Sequence, residues 1–185
     1  MVLMIVGLVL FLGIHLLPMA PGLRGVVAVS MGDKGYRGVF SVVSAVGLGL
    51  IVVGYRMAPN GVPLFTPLPA ARAAAPALVT IAFVLFAAAN MRTHVRAAVK
   101  HPMLIGLMLW SGVHLLANGD LAGTILFGSF FVYSILDLVS VIRRGAVKLF
   151  APTWKHDAIA VIAGLVAAWL TIRFHAISFG VPAIA

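Results

Sequence analysis

Two histidines lie inside apolar stretches of this chain, His15 in the first stretch and His114 in a later one. An ionisable side chain at membrane depth is costly, so a histidine there is by default a candidate functional residue. Imidazoles from two different helices can hold one flat iron porphyrin from both faces, because histidine is a common axial ligand of haem iron. The alternative is that each ring bonds a carbonyl or a serine of a neighbouring helix. The residue types alone leave both interpretations open.

Each histidine shares its helical face with large apolar or aromatic residues, at spacings of three and four. Such surroundings suit a porphyrin pocket, and they also suit an ordinary helix interface. The face of His15 contains Met4, Leu8, Phe11 and Leu12, and that of His114 contains Met103, Leu107, Trp110, Ser111 and Asn118.

Composition places these histidines in a membrane protein. The 185 residues are 63% hydrophobic and only 9% charged, whereas a soluble domain carries roughly 25% charged residues. We therefore expect an all-α, polytopic integral membrane bundle with little mass outside the bilayer. The chain has no cysteine, which excludes disulfides, thiolate ligands and covalent c-type haem attachment.

Hydropathy predicts about six transmembrane helices in a single domain over residues 1–185. A span needs about 20 apolar residues, so the first and fourth are slightly short. The breaks contain prolines, with Pro59, Pro63, Pro67 and Pro69 in the second connection, and a tight turn at 118–120. The start shows no basic segment or clear cleavage site, so we expect the first span to be retained. The predicted spans are 1–18, 38–57, 73–91, 102–118, 121–142 and 157–177.

Small residues predict where helices approach closely. Ser41, Ala45 and Gly49 recur every four residues in the second span, and Gly106 and Gly112 lie in the fourth. Small side chains at such spacing allow close backbone contact, and the face in the second span also permits a homodimer.

The net charge of +9 predicts orientation rather than nucleic-acid binding, since most Lys and Arg residues lie in short segments between spans. Ten basic residues fall on one side and three on the other, which places both termini outside, in the periplasm of a bacterium. The ten are Arg24, Lys34, Arg37, Arg92, Arg96, Lys100, Arg143, Arg144, Lys148 and Lys155, and the three are Arg56, Arg72 and Arg173.

Haem would also require partners for its propionates, and we expect Arg24, Arg37, Arg92 and Arg96 to form that basic rim. The depths of His15 and His114 differ by roughly 9 Å in straight antiparallel helices. A longer first helix, helix tilt or a re-entrant segment reconciles them. Otherwise His101, at the start of the fourth span, is the alternative partner of His15.

The remaining polar residues favour simpler roles. We expect His94 and His156 to be solvated, His175 to be interfacial and Asp137 to pair locally with Arg143 or Arg144.

Several motifs together resemble the NnrU family of bacterial membrane proteins. The resemblance covers essentially residues 1–144. Its motifs are Gly13-Ile14-His15, Gly32-Asp33-Lys34 with Tyr36-Arg37 and Phe40-Ser41, His101-Pro102-Met103 through Gly106, Trp110 and His114 to Leu115-Leu116-Ala117-Asn118-Gly119-Asp120, and Phe127-Gly128-Ser129.

This resemblance implies a role in nitrite and nitric oxide respiration of denitrifying bacteria. The family is related to the plant 15-cis-zeta-carotene isomerase, a membrane haem b protein whose two haem-ligating histidines fall by motif on His15 and His114. That relative has a cysteine between the tryptophan and the histidine, where this chain has Ser111. A thiolate ligand exchange therefore does not carry over.

Three function classes follow. The first is a haem b protein with redox or isomerase-like chemistry. The second is a transporter of a small solute such as nitrite, which the lack of a sequence repeat and of a polar pathway disfavours. The third is an assembly or sensory factor that contacts denitrification reductases without chemistry of its own.

Overall fold

The computed structural model describes residues 1–58 and 62–181, so Pro59 of the second connection lies outside the described residues. Within these ranges the chain forms seven α-helices, one short 3-10 helix and no strand beyond an isolated bridge. Five helices are long and apolar enough to cross a membrane, and a sixth apolar helix has 17 residues. The predicted all-α membrane bundle is therefore confirmed. Two compact units, Met1–Asn60 and Gly61–Ala185, divide the chain.

The first unit is a pair of helices joined by a 3-10 turn. Helix α1 covers Val2–Leu16, the turn Leu17–Met19, and α2 Pro21–Arg56. Pro21 occupies the first turn of α2, where proline is tolerated because that N–H lacks a helical partner. Helical residues thus begin well before residue 38, but Gly32 divides them, and the segment after Gly32 agrees with the expected span 38–57 to within a few residues. Hydropathy marks the apolar part of a helix and not its first residue. Gly32, with φ 69° and ψ 159°, interrupts α2 in a conformation that favours glycine.

Helices α1 and α2 meet at glycines. A Cβ added to Gly54 would overlap the backbone nitrogen of Met4, and one added to Gly7 would lie 2.6 Å from the backbone nitrogen of Ile51. Gly47 is likewise buried against Phe11. The predicted small-residue face is different, because Ser41, Ala45 and Gly49 are all exposed. The close contact uses another face of α2, on which Gly47 and Gly54 are separated by two helical turns.

The second unit contains five helices. The short helix α4 was not predicted. Its N-cap is Thr93, whose hydroxyl accepts a hydrogen bond from the backbone of Arg96 at 3.0 Å. Helix α5 has the predicted bounds of the fourth span, and the other three long helices agree with the predicted spans to within a few residues. The helices are α3 Pro69–Ala88, α4 His94–Val99, α5 Pro102–Asn118, α6 Leu121–Arg143 and α7 Trp154–Phe179.

Helix α3 packs against both α5 and α7, and α5 packs against α6. Gly106 of α5 brings the helix close to α3, since an added Cβ would lie 3.0 Å from the carbonyl oxygen of Ala82. Gly112 lies against the ring of Phe131, where an added Cβ would be 3.2 Å away. The Gly106 contact confirms the predicted close packing of the fourth span, whereas Gly112 accommodates an aromatic ring rather than a backbone. On the other side of α3, Gly164 of α7 approaches Val84, whose Cα would be 2.5 Å from an added Cβ.

The predicted turn between α5 and α6 is also confirmed. Gly119 has φ 75°, a left-handed conformation that ends α5. The Asp120 carboxylate accepts a hydrogen bond from the backbone of Gly123 at 2.7 Å and so caps α6. The extended second connection lies along this turn, because the backbone nitrogens of Leu64 and Phe65 both donate to the carbonyl of Gly119.

Candidate functional site

His15 lies near the C-terminal end of α1, among aromatic rings of its own unit. Its Nδ1 donates a hydrogen bond to the carbonyl oxygen of Phe11 at 2.6 Å. The ring stacks on Phe11, with centroids 4.2 Å apart, and meets the edge of Phe40 from α2 at 4.8 Å. One turn after Phe40, the buried hydroxyl of Ser44 has no hydrogen-bond partner among the described residues. This part of the first unit therefore combines an oriented imidazole with aromatic walls.

His114 lies in the last turns of α5 and repeats this arrangement in the second unit. Its Nδ1 donates to the carbonyl oxygen of Trp110 at 2.8 Å. The ring is tilted against Trp110, with centroids 5.2 Å apart, and against Phe127 of α6 at 4.7 Å. Trp110 also meets Phe127 and Phe130 edge-on. Here too, a histidine oriented by its own helix faces aromatic rings from the next helix.

The hydrogen bonds of the two histidines determine their tautomers. A carbonyl oxygen only accepts, so each Nδ1 carries the proton and each Nε2 carries the lone pair. Metal-bound histidines usually donate their second ring N–H to a carbonyl or carboxylate in this way. The tautomer that an Nε2 ligand requires is thus the one that both histidines adopt.

Ser111 takes a structural position. It is completely buried, and its hydroxyl donates to the carbonyl oxygen of Leu107, on its own helix, at 2.6 Å. A serine bonded to the preceding turn has satisfied its donor without any ligand. Trp110, in contrast, lies directly against the His114 ring and remains a candidate wall of a cofactor pocket.

The four arginines of the predicted rim divide between the units. In the first unit, Arg24 lies over the ring of Tyr36, 5.6 Å from its centroid, and Arg37 is exposed. In the second, Arg92 is exposed and Arg96 donates to the carbonyl oxygen of Met91 at 3.2 Å. A shared basic rim of these four residues stays a prediction, as does the binding of one haem iron by both His15 and His114.

The other histidines have local partners. His94 is not simply solvated as expected, because its Nδ1 bonds the carboxylate of Asp157 at 2.5 Å and its ring stacks on Trp154. His156 bonds the hydroxyl of Thr153, and His175 bonds the carbonyl oxygen of Val181. His101 precedes α5 as its N-cap residue.

Two further polar groups complete the second unit. Asp137 forms the predicted local ion pair with Arg144, at 3.8 Å, and also accepts a hydrogen bond from Tyr133. Within the described ranges, no group of three or more His, Asp or Glu side chains is arranged to hold a metal ion. A haem iron held by two axial histidines needs no such group.

The sequence alone does not predict that Phe40 and Phe127 contact the histidines. Phe11 and Trp110 are four residues before their histidines, and helical periodicity predicts that these pairs are neighbours. Phe40 and Phe127 belong to the following helices, so only the helix packing brings them to the imidazoles. Their one signal in the sequence is that each lies in a motif that carries the family resemblance.

Comparison with known proteins gives one informative match. Neither the curated proteins nor the solved structures contain a significant match to this chain. The model of the family described as NnrU protein matches residues 3–183, which is nearly the whole chain. The two histidines, the turn after α5 and the apolar helices all lie within the matched range. The chain therefore belongs to the NnrU family, and it is a membrane protein by the length and composition of its helices.

Proposed function

We propose that this protein is a haem b-binding membrane protein of nitrite and nitric oxide metabolism, with His15 and His114 as axial ligands. The observation that carries the proposal is that the two histidines have the same hydrogen bonding and the same kind of aromatic packing. Each donates Nδ1–H to the carbonyl four residues earlier, keeps its lone pair on Nε2 and packs against aromatic rings of two helices. Membership of the NnrU family supports the metabolic context.

The chemistry of these two side chains suits this cofactor. Haem held by these two imidazoles would supply a redox-active iron suited to electron transfer. The chain's own contribution is to orient the imidazoles through the Phe11 and Trp110 carbonyls. Phe40 and Phe127 supply apolar contact next to them, and an apolar shell limits solvent access to a metal site.

The basic residues of the chain are suited to bind the haem propionates and to orient the protein in the membrane. Arg24, Arg37, Arg92 and Arg96 are our candidates for binding the propionates, since guanidinium groups pair well with carboxylates. By the positive-inside rule, these residues lie on the cytoplasmic side of a bacterial inner membrane and both termini in the periplasm. Denitrification reductases are the partners that the metabolic context suggests.

Oxidised and dithionite-reduced absorption spectra of the detergent-purified protein test this proposal. We expect a low-spin haem b spectrum in the unaltered protein and a loss of at least tenfold in bound haem in both His15→Ala and His114→Ala. His156→Ala is the control, because this histidine bonds the Thr153 hydroxyl at the start of α7 and is not one of the proposed ligands. A helical circular dichroism spectrum for each variant excludes misfolding as the cause of haem loss.

The outcomes separate the alternatives. A colourless protein produced with ample haem, or undiminished haem in either histidine variant, contradicts the assignment and makes the histidines packing residues. If only His15→Ala loses haem, then replacing His101 tests the alternative pairing directly.

A further inference from the structure

A cavity of about 180 Å³ lies in the second unit, at the start of α5. Its walls come from the end of α3, the short helix α4, the first turn of α5 and the segment after α6. One water occupies about 30 Å³ in the liquid, so the cavity has room for a group several times larger. Its position at the ends of three apolar helices places it at a membrane edge.

Positive charge dominates the wall of this cavity. Arg96, Lys100 and Lys148 contribute to it together with His101, and no described lining residue is acidic. The carboxylates of the second unit are engaged elsewhere, since Asp120 caps α6, Asp137 pairs with Arg144 and Asp157 binds His94. Concentrated charge of one sign in a concave site attracts a ligand of the opposite sign.

Part of the wall is held in place before any ligand arrives. The Arg96 guanidinium lies over the Phe150 ring, 4.9 Å from its centroid, and donates to the Met91 carbonyl oxygen. Lys100 has φ 62°, a backbone conformation that is uncommon for a residue other than glycine. A fixed guanidinium and a turn that presents a lysine reduce the ordering cost of binding an anion.

The apolar surroundings of the cavity indicate where the anion comes from. Met103, in the wall, is 43% exposed, and Leu149, next to Lys148, is 96% exposed. An anionic phospholipid presents a phosphate to the basic residues and acyl chains to the exposed apolar surface at the same depth. We propose that this cavity binds the phosphate-bearing headgroup of an anionic phospholipid through Lys100 and Lys148, with Arg96 at its wall.

Native mass spectrometry of the detergent-purified protein with added phosphatidylglycerol tests the proposal. Lys100→Gln/Lys148→Gln removes two cavity charges, and Lys34→Gln/Lys155→Gln removes two charges that do not line the cavity. We expect the cavity variant to bind the lipid roughly 10- to 30-fold more weakly than the unaltered protein, since each basic residue near a membrane surface contributes about fivefold or slightly less. The control variant should stay within about twofold.

A second variant guards against misfolding. Lys100→Gly/Lys148→Gln removes the same charges, while glycine suits the positive φ at position 100. It should fold at least as well as the glutamine variant and show the same loss of lipid. Retained lipid binding in this variant overturns the proposal.

Two ligand arms identify the source of the phosphate. Phosphatidylcholine should bind at least tenfold more weakly than phosphatidylglycerol, and millimolar inorganic phosphate should not displace the lipid. Equal binding of the zwitterionic lipid, displacement by inorganic phosphate, or an equal loss in the control variant each contradicts an anionic lipid site. Arg96 and His101 line the cavity and also belong to the proposed haem assignment, but all these variants keep them, so failure of the lipid test and failure of the haem test are distinguishable.

Discussion

In the first unit, α1 and α2 approach each other where Gly7, Gly47 and Gly54 remove side chains from the crossing. In the second, Gly106 and Gly164 do the same for α5 and α7 against α3. The second unit adds polar bonds at helix ends, from Asp157 to His94 and from Asp120 to the first turn of α6. Glycine contacts therefore bring the helices together in both units, while polar groups also secure the connections of the larger one.

Gly54→Ala should have the largest effect. The added Cβ would overlap the Met4 nitrogen and lie 2.7 Å from the Met4 Cα, so α1 must move away. We expect the free energy of unfolding of the first unit to fall by about 3 kcal/mol, in line with overpacking of a close contact. Since the chain has no cysteine, a Leu8→Cys background provides a single buried thiol whose labelling on heating reports the first unit.

Gly49→Ala is the matched control on the same helix, because an added Cβ there has no described neighbour within 4 Å. It should be neutral or stabilising by at most about 1 kcal/mol. If Gly54→Ala labels at the same temperature as its background, the crossing of α1 and α2 does not limit the stability of the first unit.

Gly164→Ala should have a similar but smaller effect on the second unit. The added Cβ would lie 2.5 Å from the Val84 Cα, which forces α7 away from α3. We expect the free energy of unfolding of the second unit to fall by about 2 kcal/mol, because the contacts of α5 and the polar bonds at the helix ends are kept. A Val113→Cys background supplies the buried thiol for this unit, and its labelling temperature is the measurement.

Gly128→Ala is the control in the second unit, since its added Cβ also has no described neighbour within 4 Å. Each glycine variant is measured with both thiol reporters. If Gly164→Ala lowers the labelling temperature of Leu8→Cys as much as that of Val113→Cys, the two units unfold together, and their different packing does not give them separate stabilities.

The sequence predicts α5 well because both ends of the helix have strong local signals. Pro102 suits a first turn, and Gly119 followed by Asp120 ends one helix and caps the next. The helical segment of α2 before Gly32 is not predicted, because its apolar run is too short to cross a membrane and gives no span signal. The small-residue pattern does not identify the face of α2 on which α1 packs, because spacing shows which faces permit close contact and not which one a partner helix uses.

The candidate site shows the same division between local and long-range information. The contacts of His15 with Phe11 and of His114 with Trp110 follow from a spacing of four along one helix. The bond between His94 and Asp157 joins residues 63 positions apart, and no local pattern predicts it. The basic cavity is likewise not predicted by a local pattern. Lys100 and Lys148 line one cavity only because the end of α4 and the segment after α6 are packed together.

Asp120→Ala should have the smallest effect of the three. The variant removes the acceptor for the Gly123 backbone N–H at the first turn of α6, and loss of such a cap costs about 1 kcal/mol. Asp120→Asn is the control, because its amide oxygen can still accept this bond, and we expect it to retain most of the stability. The labelling temperature of Val113→Cys is the measurement for both. If Asp120→Ala matches the loss caused by Gly164→Ala, the polar helix ends contribute as much to the second unit as its glycine contacts, and packing no longer ranks first there.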